Sequence, residues 1–344
     1  MDRLIDCEIF RRFGVEIELN TSDGNIKKIE KFKKQIPLGS DIVASIIKKS
    51  VDNHVKIQSW GYNNNNTNWI VKPDSSCGIE VCTPVLKGWL GLEKLLKVVD
   101  CFKEKNLKAD SRCSVHVHID VSDLSYFSIA SVMSWFIKCE HVFMDAFPSS
   151  RKLNRYCQMI GTTDMFHSDY KINPMDLIER VSGVKYYTIN AYHLMKGGGI
   201  NDYNNRKRTI EFRLGDNSMC LNSFNLKNWI RLILHFVDIA KDLPLPSPYK
   251  ENDSHTGLLW LDPKDVFEIL KFYDPCTDGF DQMKWWFKNR ILDYGFDNNL
   301  YGMWSNEARG HARRDFLQCI EKFNLRFDDH ENLQNSVYDK KYII

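Results

Sequence analysis

Three segments of this 344-residue chain alternate apolar and polar residues with a period of two: Val15-Glu16-Ile17-Glu18-Leu19, Val115-His116-Val117-His118-Ile119 and Ile210-Glu211-Phe212-Arg213-Leu214. Successive strand residues point to opposite faces, so each segment shows its polar pair on one side and its apolar residues on the other. If the three strands share a sheet, its apolar side packs on a core and its other side gathers Glu16, Glu18, His116, His118, Glu211 and Arg213. Carboxylates drawn together raise one another's energy unless a cation or a proton intervenes, so such a gathering calls for a chemical reason.

The rest of the chain reads around these strands. A lysine-rich stretch, Lys27 to Lys34, and an asparagine run, Asn63 to Asn66, are solvated surface. Extended segments follow at Trp69 to Val71 and at Gly78-Ile79-Glu80-Val81-Cys82, separated by the turn-like Pro73-Asp74-Ser75-Ser76. Leu86, Trp89, Leu92, Leu95, Leu96, Val99 and Phe102 recur at helical spacing. Ser122 reads as the N-cap of the next helix, whose buried stripe takes in Phe127, Val132, Trp135, Phe136 and Phe143. A further helix is expected from about Asn225 to Leu243. Pro244, Pro246 and Pro248 then mark a boundary, since proline removes donors and disfavours helix continuation. This divides the chain into a domain that carries the three alternating strands, residues 1–243, and a mainly helical C-terminal extension, residues 244–344, with Pro263 in a first turn and Trp285, Trp286, Phe287 and Phe316 on its helices.

The glutamates supply the chemistry. Glu16 and Glu18 from one strand, Glu80 from another and Glu211 from a third offer oxygen ligands to hard divalent cations, and an imidazole from His116 or His118 suits magnesium or manganese in a mixed shell. Arg213, on the face of Glu211, can hold a phosphoryl oxygen in a fork that lysine cannot match. Arg151 and Arg155, four apart, would project from one side of a helix toward a common anion. Together these are the parts of metal-supported phosphoryl transfer. Each has a plainer reading: Glu-x-Glu as a solvated strand face, Glu-Phe-Arg as a cross-strand salt bridge, the arginines as surface charge. The conjunction of three such strands favours the functional reading.

In order and spacing, these motifs resemble the amidoligase family, within the glutamine synthetase and glutamate-cysteine ligase superfamily of carboxylate-amine ligases. The resembling residues run Phe13 to Glu18, Asp74-Ser75-Ser76 with Gly78 to Pro84, Cys113 to His118, Arg151 to Tyr156, Tyr187 to Asn190 and Thr209 to Arg213. The resemblance implies an α+β fold: an antiparallel sheet curved into a funnel, like the glutamine synthetase catalytic domain, with helices on its outer face. It implies two or more Mg2+ (or Mn2+) ions held by Glu16, Glu18, Glu80, His116 and Glu211. ATP would be held by Arg151, Arg155, Arg213 and His118, with His118 touching nucleotide or substrate. Glu16, Glu18, Glu80, Glu211 and Arg213 are the implied catalytic set. Asp74 falls at a family position that supports ligands or binds the amine, and Cys82 stands where the family more often has serine. The implied reaction joins a carboxylate to an amine through an acyl phosphate. A covering loop is then needed to keep water out, and Lys196 to Arg208, with its glycine triplet and basic end, is the candidate.

Composition bounds the rivals. A net charge of +2 gives no general electrostatic reason to bind nucleic acid, so anionic ligands must be bound locally. The ten cysteines form no CxxC pair and suit reduced thiols in a cytoplasmic setting; the N-terminus lacks a signal-like apolar stretch, and no run approaches about 18 apolar residues. A zinc amide hydrolase using His116 and His118 would work without nucleotide, but the chain has no HExxH helix. A non-catalytic nucleotide- or metal-binding module, with the C-terminal helices as a docking surface, would bind without turnover. The carboxylate and amine substrates, whether small molecules, peptides or protein side chains, and the oligomeric state are left open.

Overall fold

The three alternating segments become neighbouring strands of one sheet. In the computed structural model, which describes residues 11–20, 39–51, 54–59, 67–152, 154–160, 174–195, 208–246, 263–271 and 281–294, they are β1 (Phe13–Asn20), β5 (Val115–Asp120) and β7 (Thr209–Gly215). The other strands are β2 (Val55–Ile57), β3 (Trp69–Asp74), β4 (Gly78–Cys82) and β6 (Ile189–Asn190). The sheet has seven strands in the order β2-β3-β4-β1-β5-β7-β6. The fold is therefore α+β, and every strand pair is antiparallel except at one edge, where β2 runs parallel to β3, against the all-antiparallel expectation.

Nine helical segments surround it among the described residues: α1 (Ser40–Ser50), α2 (Gly88–Glu104), α3 (Tyr126–Asp145), α4 (Ser149–Lys152), α5 (Pro174–Ser182), α6 (Tyr192–Met195), α7 (Ser223–Ala240), α8 (Pro263–Ile269) and α9 (Asp281–Tyr294), with a 3-10 turn at Asn217–Cys220. Alternation explains which face they cover. Val15, Ile17, Val81, Val117, Ile119, Ile210 and Phe212 are all buried, and the helices bring Phe136, Phe143, Phe236 and Phe287 to meet them. Phe136 stacks on Phe143 at 4.9 Å and meets Phe212 and Phe236 edge-on at 5.2 and 5.7 Å. Edge-to-face packing of this kind adds to the burial of the rings, which is the main force holding helices to sheet.

The helix from 126 starts one turn later than the sequence reading has it. Ser125, not Ser122, is the N-cap: its Oγ accepts from the amide of Ser128 at 3.1 Å. Ser122 donates its own amide to Asp120 Oδ1 at 2.9 Å and belongs to the preceding turn. The shift turns Phe127 outward, half exposed at 50%, so it is not part of the buried stripe, and Trp135 is only partly buried. α7 starts two residues before the expected Asn225 and stops three before Leu243, capped by Asn222.

The helices after the proline cluster join the same core. Phe287 of α9 lies 5.5 Å from Phe143 of α3, and Trp286 Nε1 donates to Asn225 Oδ1 at 3.0 Å. Phe316 and the Lys27–Lys34 and Asn63–Asn66 stretches lie outside the described residues.

One close approach in the sheet aims the site. The pairing of β5 with β7 shifts between Val115 and Val117, the two neighbours of His116. There Gly215 stands so near β5 that an added Cβ would come within 2.5 Å of the Val115 carbonyl oxygen. Backbone cannot yield as a flexible side chain would. Gly215→Ala is expected to cost about 1–3 kcal/mol of stability, as overpacking does; denaturant unfolding measures it, and an unchanged midpoint would refute the close approach.

Candidate active site

On the face away from the helices, strand register sets the polar residues in three rows. In the first, Lys72 of β3 stands opposite Glu80 of β4, and Glu80 opposite Glu18 of β1. In the second, Cys82, Glu16 and His116 align across β4, β1 and β5. The third runs from Gly14 through His118 and Glu211 to Asn190. Strand pairing thus converts residues almost two hundred positions apart into neighbours.

Glu16 is the centre of this array. Its Oε2 lies 3.3 Å from His116 Nδ1 and its Oε1 3.4 Å from His118 Nε2. His116 Nδ1 is also 3.4 Å from Glu211 Oε1, and its Nε2 lies 3.0 Å from Ser114 Oγ and 4.0 Å from Glu18 Oε1. Ser114 donates to Glu18 Oε2 at 2.7 Å, and Asn190 Nδ2 to Glu211 Oε2 at 2.9 Å. Arg213 pairs with Glu211 and donates from Nε to the Tyr156 carbonyl at 3.1 Å. Lys72 Nζ sits 2.7 Å from Glu80 Oε1, an oxygen that also receives Cys82 Sγ at 3.0 Å. Asp74 accepts the amides of Ser76 and Cys77 at 2.7 and 3.2 Å and so fixes the β3–β4 turn.

Glu16, Glu18, His116, His118, Glu211 and Arg213 are therefore brought together as the alternation implied, and Glu80 joins them from β4. The two remaining arginines are not arranged as expected. α4 ends at Lys152, so Arg151 and Arg155 share no helix face. Arg151 is buried; its guanidinium donates to the carbonyl of Arg213, and its Nε has no hydrogen-bond partner among the described residues. Arg155 is exposed, donates to the Tyr156 hydroxyl at 2.7 Å and lies over that ring. Arg151 is thus a buried cation held on the backbone of the partly buried Arg213, while Arg155 lies at the surface. Of the covering-loop candidate only Arg208 is described.

Lys72 escaped the sequence reading. Lys72-Pro73-Asp74 is a fourth same-face polar pair, hidden because proline interrupts the apolar alternation. Ser114 and Asn190 were missed too; Ser114 extends the His116–His118 face by one step and could have been found from that spacing.

Charge is unevenly distributed over the face. Burial pushes the Glu18 carboxyl up to about 8, with Asp74 and Glu80 adding to the effect. Burial and the Glu16 charge push Glu80 up to about 6, although Lys72 opposes this. At the other end burial is outweighed: Arg213, His118 and His116 hold Glu211 down at about 2, and His118, His116 and Lys72 hold Glu16 well below the usual carboxylate range. Burial and Arg213 together lower His116.

These residues fit hard divalent cations. Three groups of donor atoms each lie within 4.8 Å of one another: Glu16, His118 and Glu211; Glu16, Glu80 and Cys82; Glu18, Asp74 and Cys77. Carboxylate oxygens predominate, the donor type of magnesium and manganese. The first group takes His118 where the family resemblance assigns His116, and both rings lie against the Glu16 carboxylate. The raised carboxyls tell the same story, since a nearby dication would favour their ionised forms.

The sign of the pH dependence follows. Glu18 and Glu80 have folded values above the unfolded 4.5, so their contribution is full below that value and lost as pH rises through about 6 and about 8. Glu211, depressed to about 2, contributes above 4.5 and is lost only as pH falls toward 2. Protein stripped with chelator is thus expected to melt at lower temperature as pH rises from about 5 to about 9, and added magnesium to raise the midpoint most at the alkaline end. Calorimetry across that range checks it; a magnesium effect equal at both ends would refute this electrostatic account.

A family model described as "Putative amidoligase enzyme" matches residues 10–237. No curated protein matches the chain. Among solved structures, a bifunctional glutathione synthetase from Pasteurella multocida aligns over 93% of this chain and 53% of that one, at 10% identity and a TM-score of 0.38. The chain thus spans about half the length of that enzyme. Among the described residues, no helix is long and apolar enough to cross a membrane.

Proposed function

The chain belongs to the amidoligase family, and from that premise we propose that it is an ATP-dependent carboxylate-amine ligase whose active site is the polar face centred on Glu16. A substrate carboxylate attacks the γ-phosphorus of ATP, ADP leaves, and an amine displaces phosphate from the resulting acyl phosphate to give an amide. The polar face would be the floor of a glutamine synthetase-like funnel. The observation that carries this reading is the convergence of Glu16, Glu18, Glu80, Glu211, two imidazoles and Arg213 on one sheet face.

Each residue has work suited to its position. Arg213 presents a guanidinium held in place by Glu211 and the Tyr156 carbonyl, the fork geometry that receives phosphoryl oxygens. Arg151, with an N–H to spare, adds a second positive charge behind it. Asn190 fixes the other oxygen of Glu211, so that carboxylate is oriented from both ends. Two or more Mg2+ or Mn2+ ions held by Glu16, Glu18, Glu80, His116 and Glu211 would neutralise charge on the transferring phosphoryl group. Water has to be excluded while the acyl phosphate lasts.

The test is an ADP-release screen with magnesium and ATP across libraries of carboxylates and amines. A pair that raises ADP release, with the signal lost in both Glu16→Gln and Glu211→Gln, supports the ligase. Amide cleavage by the protein without nucleotide would support the hydrolase alternative that the His116–His118 pair leaves open.

A further inference from the structure

We propose that Lys72 is a built-in counter-ion of this site, one that competes with a divalent cation for Glu80 and yields its place when an anionic ligand arrives with the metal. The proposal deepens the ligase reading and rests on the polar face being a cation site. Its basis is an arrangement that the strands impose. Lys72 and Glu80 are cross-strand partners, their charged atoms 2.7 Å apart, with side chains only 20% and 11% exposed. The Glu80 oxygen that takes the ammonium also takes the Cys82 thiol, and both Glu80 and Cys82 offer atoms within 4.8 Å of a Glu16 oxygen.

A dication drawn to Glu16 and Glu80 therefore meets a positive charge already in contact with one of its carboxylates. At such separations, in a partly buried site, like charges interact strongly. The lysine stem is flexible, and its head group is a point charge rather than a directional fork. It can leave Glu80 without disturbing the strands. Its release is favoured when a polyphosphate or a carboxylate lies over the sheet, because the ammonium then exchanges one anion for another. Lys72 would thus couple cation loading to the arrival of the anionic substrate.

The test is Mn2+ binding to the full-length protein, followed by electron paramagnetic resonance without nucleotide. Removing the charge in Lys72→Met, with Lys72→Gln as a second neutral variant, is expected to tighten Mn2+ binding by about tenfold or more. Lys72→Arg, which keeps the charge, is expected to leave it near wild type, and Glu80→Gln to weaken it. With a non-hydrolysable ATP analogue present, the gap between wild type and Lys72→Met should narrow. A lysine that merely supports the fold predicts the opposite, weaker binding in the neutral variants. If Mn2+ binds wild type and weakens in Glu80→Gln, but the neutral variants bind no more tightly, the counter-ion role is wrong while the cation site stands. A gap that nucleotide leaves unchanged overturns the release step. Absence of binding in wild type overturns the cation reading and the proposal with it.

Discussion

Replacing Glu16 by glutamine is expected to lower substrate-dependent ADP release by a hundredfold to about a thousandfold, and to remove the thermal stabilisation conferred by magnesium. The size of the effect comes from position. Glu16 has one oxygen against each histidine and belongs to two of the three groups of clustered donor atoms, where every other carboxylate of the face belongs to one. Glutamine keeps the shape and one acceptor oxygen, so a hydrogen bond to an imidazole can persist and the sheet loses no packing. What disappears is a negative charge that is held ionised by His118, His116 and Lys72. Differential scanning calorimetry with and without magnesium separates this from simple unfolding. A variant that folds, keeps its magnesium response and turns over normally would remove Glu16 from the active site.

That a single residue can be given such weight reflects how much of the site is legible from short-range pattern. Period two is strict in a strand, so Glu16 and Glu18, His116 and His118, and Glu211 and Arg213 could be assigned to common faces before any pairing was known. Register could not be read in that way. Nothing local to β1 or β4 says that Glu18 will face Glu80; that follows from the sheet order, which places β4 and β5 on either side of β1. Lys72 stayed hidden for a related reason, because Pro73 occupies an apolar position without looking like one.

Helix ends were less readable. Arg151 and Arg155 have helical spacing, but α4 is a single turn that stops at Lys152, and only Arg151 turns into the protein. Ser122 and Ser125 are equally good caps by residue type; Asp120 claims the amide of Ser122, and the helix starts from Ser125. In both cases a side-chain or backbone contact decided between two local options of similar merit.

The proline cluster shows a different limit. Pro244 and Pro246 do end a helix, as proline should. The chain there is nevertheless anchored: Ser131 Oγ lies 2.7 Å from the carbonyl oxygens of both Ala240 and Leu243 and gives its one proton to either, and Trp135 Nε1 donates to the carbonyl of Pro244 at 2.8 Å. This makes the segment a packed corner at α3 as far as it is described. Composition reports that a helix stops, not whether the chain beyond it departs or returns.

The return is strong enough to measure. Arg290→Met is expected to cost about 3–5 kcal/mol, the usual penalty for removing one partner of a buried ion pair. Arg290 pairs with Asp216 at side-chain exposures of 7% and 2%, and its Nε donates to the Ala146 carbonyl at 2.8 Å. Its guanidinium also lies over Phe147, Trp286 and Tyr294, so the positive charge is surrounded by rings on the sides not taken by oxygen. Asp216 follows directly on β7, the strand of Glu211 and Arg213, so α9 is fastened to the end of a strand that carries the site. Methionine fills most of the arginine's volume but leaves the Asp216 carboxylate buried without its cation. A pair of the same chemistry supplies the control: Arg112 and Asp110 are 44% and 45% exposed, and Arg112→Met should leave stability unchanged within error. Chemical denaturation of both variants decides the matter. Equal, small effects would mean that α9 contributes little to the fold, whereas a large loss confined to Arg290 would make residues beyond the proline cluster part of the catalytic unit's own core.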